Sequence, residues 1–141
     1  MDPFDLERFV EAQRPSYQDA LAELQAGRKL SHWMWFIFPQ MLGLGRSPAS
    51  RFFGIRSLEE ARAYLAHPIL GPRLEECTNA VLATTGLSLN RIFGSPDDLK
   101  FHSSMTLFAL ASDDTDTPYH RALKRWHAGE MDPATLKLLG E

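Results

Sequence analysis

Five residue pairs of one kind, a capping side chain followed by proline, recur along this chain of 141 residues. They are Asp2-Pro3, Ser47-Pro48, Ser95-Pro96, Thr117-Pro118 and Asp132-Pro133. Such a pair is typical of a helix N-terminus, because the side-chain oxygen accepts a free backbone N–H and proline is tolerated in the first turn. Glycine or proline ends many of the apolar stretches that follow, so the sequence predicts a series of short helices.

The apolar spacing between these breaks also indicates helices. It predicts them over residues 3–13, 17–26, 32–38, 48–53, 58–67, 70–85, 97–111 and 118–126, with shorter turns at 88–93 and after residue 132. The stretch 32–38 could instead be a buried strand, and the helix at 97–111 could break near Ser103. Since no alternating strand of four or more residues stands out, we expect an all-α fold. It would be a compact orthogonal bundle of about seven to eight short helices, in a single domain over residues 1–141.

Composition and charge exclude several classes of protein. The net charge of -3 argues against a dedicated nucleic-acid binder. The acidic N-terminus lacks the pattern of a signal peptide, and the longest apolar run, residues 33–38, is too short to span a bilayer. The single cysteine, Cys77, fits a reducing compartment and a buried position. We therefore expect a cytoplasmic protein without membrane contact, and the scattered histidines suggest neither a metal nor a cofactor.

The segment SHWMWFIFPQ, residues 31–40, concentrates the aromatic side chains. A core helix would explain them by the area that aromatic rings bury. A stacking wall for a planar ligand is the functional alternative. We expect Trp35, Phe36 and Phe38 in the core. The candidate edge of a binding site is His32, Trp33 and Gln40.

The loop that follows, GLGRSP at residues 43–48, is a second candidate. Gly45 lets the backbone approach a ligand closely, Arg46 offers a guanidinium to an anion, and Ser47 opens a helix with free N–H groups. An ordinary loop with a helix cap is the alternative explanation.

A third candidate begins at GSPDDLK, residues 94–100. Asp97 or Asp98 could act as a general base or bind ribose hydroxyls, although acids at a helix start more often act as caps. Lys100 is a candidate anion contact. Ser104 interrupts an apolar helix and could bind a ligand or its own backbone.

Long motifs support a resemblance to a known family. DPFDLERFVEAQ, SHWMWFIFPQ with GLGRS, SLEEARAYL and IFGSPDDLK occur in order over residues 2–139. The chain closely resembles the bacterial domain of unknown function 1810 family, whose members are sometimes labelled calpastatin, a label that these residues do not support. The resemblance implies an all-α single domain and no established activity.

A more distant resemblance is to the NADAR superfamily. It rests on the aromatic segment ending in glutamine, the helix after it and the later stretch with Gly and Asp. That superfamily is associated with NAD and ADP-ribose and includes N-glycosidases. Its members place a glutamate in the aromatic motif, whereas residues 33–40 contain no acid. If the fold is shared, the catalytic carboxylate is either missing or has moved to Asp97 or Asp98.

Two functions remain open from the sequence. No acid occurs between Glu23 and Glu59, and that stretch carries several arginines. It could bind an anionic small molecule, a phosphorylated nucleoside-type ligand such as ADP-ribose or NAD, with or without hydrolysis. The alternative is a non-catalytic module that docks a partner protein on a cationic face formed by Arg46, Arg51 and Arg56.

Overall fold

The computed structural model describes residues 2–140, one residue short of the predicted domain at each end. Within this range the chain forms helices and no strand, which confirms the all-α prediction. There are ten helices, somewhat more than the seven to eight expected. They are α1 Glu7–Gln13, α2 Tyr17–Gln25, α3 Met34–Ile37, α4 Pro48–Phe52, α5 Leu58–Ala66, α6 Leu70–Leu82, α7 Leu89–Phe93, α8 Asp97–Ala111, α9 Pro118–His127 and α10 Pro133–Leu138.

Helix α8 is the centre of the structure. It packs against α5, α7, α9 and α10, and nine of its fifteen residues are buried. A helix that is apolar on every side is stable only when other elements surround it. The predicted break near Ser103 is absent, since the helix runs without interruption from Asp97 to Ala111. The Ser103 hydroxyl donates to Oδ2 of Asp132 at 2.8 Å, and the carbonyl of Leu99 lies 3.2 Å from the same oxygen.

Aromatic rings fill much of the single buried cluster that joins the helices. Phe38 meets Phe101 edge to face with ring centroids 5.0 Å apart, and Phe93 stacks on Phe101 at 4.9 Å. Such pairs add stability beyond the area that they bury. The C-terminal end of the aromatic segment is thereby held against α7 and α8.

Three of the five pairs of a capping residue and proline act as predicted. Ser47, Thr117 and Asp132 each accept a hydrogen bond from the backbone N–H three residues later, at the starts of α4, α9 and α10. Ser95 does not cap α8, whose first residue follows Pro96.

The first helix begins later than predicted, at Glu7 instead of Pro3. Asp2 still caps it from a distance, since its carboxylate accepts from the N–H groups of Leu6 and Glu7 at 2.8 and 2.9 Å. Asp5 has a positive φ of 52°, which interrupts any helix running from Pro3.

The third helix is a single turn, Met34–Ile37, shorter than the predicted 32–38 and not a strand. Beyond it, the N–H of Leu42 donates to Ile55 and the N–H of Ile55 donates to Gln40, which forms an isolated parallel bridge between Met41 and Ile55. The bridge closes the base of a loop, residues 41–55, that contains α4.

Candidate functional site

Two lysines from different parts of the chain meet one carboxylate at the start of α8. Nζ of Lys29 lies 3.0 Å from Oδ2 of Asp97, and Nζ of Lys100 lies 3.0 Å from Oδ1. The backbone N–H of Lys29 also donates to the carbonyl of Ile92 at 2.7 Å. The segment before α3 is therefore fixed to α7 and α8, and the three side chains carry one excess positive charge.

Each of these lysines also lies over an indole ring. Nζ of Lys100 is 4.0 Å from the ring centroid of Trp35, and Nζ of Lys29 is 5.0 Å from that of Trp33. Both distances are within the range in which an ammonium is attracted to the face of an aromatic ring. The aromatic segment and the start of α8 thus form one site.

The glycine loop touches the same tryptophan. A Cβ on Gly45 would lie 3.4 Å from Cη2 of Trp35 and 2.8 Å from Cβ of Ser50, so only glycine fits there. Arg46 follows this contact and is exposed. We call Trp35, Lys100 and the loop 43–47 together the Trp35 surface.

Glu23 shapes the turn that leads into α3. Its carboxylate accepts from the backbone N–H groups of Leu30 and Ser31, from the Ser31 hydroxyl and, at 2.9 Å, from Nε1 of Trp33. Burial raises the pKa of Glu23, but these hydrogen bonds outweigh it and lower the pKa to about 2. Ser31 therefore binds the Glu23 carboxylate and does not cap α3.

Several residues of the aromatic segment are buried or exposed in the opposite way to our expectation. Trp33 was expected at the edge, yet it is 1% exposed and lies in the core. Gln40, also expected at the edge, is buried, whereas His32 is exposed as expected. Trp35, expected in the core, is only half-buried. The ring available to a ligand is therefore that of Trp35.

The remaining predicted residues divide between the surface and the interior. Ser47 is exposed and accepts from the N–H of Ser50 at 3.1 Å, so it acts as a helix cap. Ser104 is completely buried one turn beyond Lys100, and its hydroxyl has no hydrogen-bond partner within residues 2–140. A ligand on the surface does not reach it.

Asp97 is poorly suited to the catalytic role that we assigned to it. Burial alone raises the pKa of Asp97, but the hydrogen bonds and charges of Lys29 and Lys100 outweigh this effect and lower it. A general base works best with a pKa near the working pH and with a free oxygen. Both oxygens of Asp97 already accept from ammonium groups, so its geometry is that of a positioning group.

Cys77 is buried in α6, as expected. Burial raises the pKa of its thiol to about 12, so it is protonated at neutral pH and is a poor nucleophile.

Two further features had no signal in the sequence. His102 of α8 and His127 of α9 stack with ring centroids 3.5 Å apart. A cleft of about 910 Å³ lies between α5, α6 and the loop before α9. Both are assembled from residues far apart in the chain, with no shared motif to reveal them.

Comparison with known proteins decides the family. The model of the protein family of unknown function DUF1810 matches residues 3–139. The chain belongs to the DUF1810 family. The chain is similar to the conserved hypothetical protein Rv1873 from Mycobacterium tuberculosis, whose crystal structure is known. The sequence identity is 54%, the TM-score is 0.96, and the match covers 99% of each chain. No curated protein has a sequence that matches.

Two general properties of this DUF1810 protein follow from the part of the chain that is described. Between residues 2 and 140 no helix is both long and apolar enough to cross a membrane. In the same range no three side chains of His, Cys, Asp or Glu converge on a point that could hold a metal ion.

Proposed function

We propose that the chain binds a phosphorylated nucleoside-type ligand of the ADP-ribose or NAD class on the Trp35 surface, without hydrolysing it at Asp97. The observation that carries this proposal is the contact of Lys100 with Trp35, in which Nζ lies 4.0 Å from the ring centroid, beside the tight glycine loop at Gly45. An aromatic ring and fixed cations are the groups that recognise a base and a phosphate.

The charges around Trp35 support an anionic ligand. Lys29, Asp97 and Lys100 have one positive charge in excess, and the exposed Arg46 adds another from the adjacent loop. No salt bridge engages Arg46 within residues 2–140, so its guanidinium has no anion to give up before it binds a phosphate. A ligand of this class would be met in the cytoplasm, where we place the protein.

Binding without catalysis agrees better with the contacts of Asp97 than hydrolysis does. Its carboxylate is held by two ammonium groups at 3.0 Å, and moving it to a substrate would leave Lys29 buried without its partner. Removing one member of a buried pair costs several kcal/mol, about 3–5 in typical cases.

A docking role for a cationic face is the second candidate. Arg46, Arg51 and Arg56 are all exposed, on or just beyond the loop 41–55. Phe52 is 58% exposed beside them in the sequence. Within residues 2–140 none of these three arginines forms a salt bridge. An apolar side chain among such cations is the composition of a surface that binds an acidic protein.

Titration calorimetry with ADP-ribose, AMP and inorganic phosphate distinguishes ligand binding on the Trp35 surface from protein docking on the cationic face. For Arg46→Gln we expect binding of ADP-ribose about tenfold weaker, since a hydrogen bond to a charged group contributes about 1.5–3 kcal/mol. Arg51→Gln is the matched control, because it removes the same charge outside the Trp35 surface. No heat with any of the three ligands, or equal losses in both variants, would contradict the Trp35 surface as the binding site and favour the docking face.

A further inference from the structure

The cleft between α5, α6 and the loop before α9 has the size of a ligand site. Its volume is about 910 Å³, and small-molecule sites measure roughly 300–1,000 Å³. Its apolar lining includes Leu65, Ala111 and Pro118. None of the residues of the Trp35 surface lines it, so the cleft is a separate part of the molecule.

Acidic side chains dominate the polar part of this cleft. Glu75 and Glu76 come from α6, and Asp113 and Asp114 come from the loop between α8 and α9. All four are exposed, and within residues 2–140 none forms a salt bridge. Arg62 is the single cation among the lining residues, so the cleft carries more negative than positive charge.

Tyr119 is a second and independent sign of a ligand. It is only 4% exposed, and it lines the cleft. Its hydroxyl makes no hydrogen bond within residues 2–140, although neighbouring buried groups are paired. Tyr17, for example, donates to the carboxylate of Glu76. The hydroxyl oxygen is not among the fully enclosed unpaired atoms of this range, so it opens onto the cleft and is accessible to a ligand there.

The geometry points to this cleft as a binding site for an aliphatic diamine or polyamine. Acids on α6 and acids on the facing loop would each receive an ammonium group, and the hydrocarbon chain between the ammonium groups would lie on the apolar lining. The hydroxyl oxygen of Tyr119 would accept a hydrogen bond from an ammonium N–H. Burial and the charge of Glu75 raise the pKa of Tyr119, which keeps this hydroxyl neutral.

The polyamine class follows from the arrangement of the charges. A metal ion prefers carboxylates that converge on one point, and within residues 2–140 no such group of three is present. A monoamine would satisfy only one wall of the cleft. A ligand with two or more ammonium groups on a flexible apolar chain matches both walls together.

Calorimetric titration of the full chain with spermidine tests this site, with butylamine as the probe that carries a single charge. We expect one spermidine per chain and clearly weaker binding of butylamine. Tyr119→Phe keeps the ring and removes the unpaired hydroxyl. It should bind spermidine about tenfold more weakly, the effect of one hydrogen bond to a charged group, with its thermal midpoint unchanged.

The double variant Glu75→Gln with Asp113→Asn removes one acid from each wall and should abolish measurable binding of spermidine. Its matched control is Asp19→Asn with Glu59→Gln, which changes the net charge equally at exposed positions that do not line the cleft. No binding of spermidine, equal losses in both double variants or unchanged binding by Tyr119→Phe would each overturn the proposal. Because ADP-ribose is not used, these outcomes do not depend on the function proposed for the Trp35 surface.

Discussion

One buried ion pair illustrates how a single residue joins distant parts of this chain. The Arg8 guanidinium lies 2.7 Å from Oε2 of Glu60, and both side chains are almost fully buried. Arg8 also donates to the carbonyls of Phe52 and Gly54, while Oε1 of Glu60 accepts from the N–H of Arg56. The pair thus holds α1, α5 and the end of the loop 41–55 together.

Glu60→Gln should lower the free energy of unfolding by about 3 kcal/mol, because it leaves the Arg8 charge buried without an anion. Urea denaturation measures this change. Glu11→Gln is the control, since Glu11 and Arg14 are also 2.7 Å apart but largely exposed. An exposed pair contributes about 0–1 kcal/mol. Equal losses in the two variants would contradict the role assigned to burial.

The stacked histidines predict a pH dependence of stability. Burial and, to a smaller extent, the neighbouring His102 lower the pKa of His127 to about 4, against the opposing charges of Asp132 and Asp98. The folded state therefore favours the neutral ring, whose ordinary pKa is 6.5. This contribution to stability is complete above pH 6.5 and is lost as the pH falls from there towards 4.

Urea midpoints measured across this range should decline for the native chain and decline less for His127→Gln. The carboxylates Asp97 and Asp132 have lowered pKa values, so their contributions are lost only at more acidic pH. An identical decline in the variant would show that His127 is not the group that titrates.

The junction of α5 and α6 depends on one close approach of backbones. A Cβ on Gly71 would lie 2.1 Å from the carbonyl oxygen of Leu65, a distance that no side chain can relieve. Gly71→Ala must therefore separate the two helices and should cost about 3 kcal/mol or more, at the upper end of the range for overpacking. Thermal or urea unfolding measures the loss.

Gly86→Ala is the control for this prediction. Its Cβ would have no atom within 4 Å, and its φ of 70° is the only strain. A left-handed residue with a side chain costs about 1–2 kcal/mol. A loss at Gly86 equal to that at Gly71 would mean that backbone conformation, and not contact with Leu65, decides the effect.

The helices that could be predicted from the sequence are those whose ends are stabilised by interactions between residues close together in the chain. Ser47, Thr117 and Asp132 cap their helices through atoms three residues away, so a short window contains the whole interaction. The turn before α3, in contrast, is stabilised by a residue farther away in the sequence. Trp33 turns into the core because its Nε1 reaches Glu23, ten positions earlier, and no pattern within residues 31–40 reveals that contact.

On the scale of the whole molecule, four residues suggested by the sequence lie in or beside the candidate site, but the sequence did not reveal how they are arranged. Asp97, Lys100, Gly45 and Arg46 were named from local chemistry, and the structure places Lys100 beside Asp97 and both Lys100 and Gly45 beside Trp35. The choice of Trp35 over Trp33 needed the tertiary contacts. The acidic cleft was missed because its residues come from four separate segments, none of which carries a motif.

The three tryptophans provide the most direct measurement of the central claim, that ligand binds on the Trp35 surface. The indole N–H of Trp33 is bonded to Glu23 in the core, and that of Trp126 is bonded to the carbonyl of Leu87. Their resonances, with that of Trp35, can be followed by nuclear magnetic resonance during a titration with ADP-ribose. We predict that the Trp35 signal moves in a saturable way while the Trp126 signal stays in place. No movement of Trp35, or equal movement of Trp126, would contradict the claim.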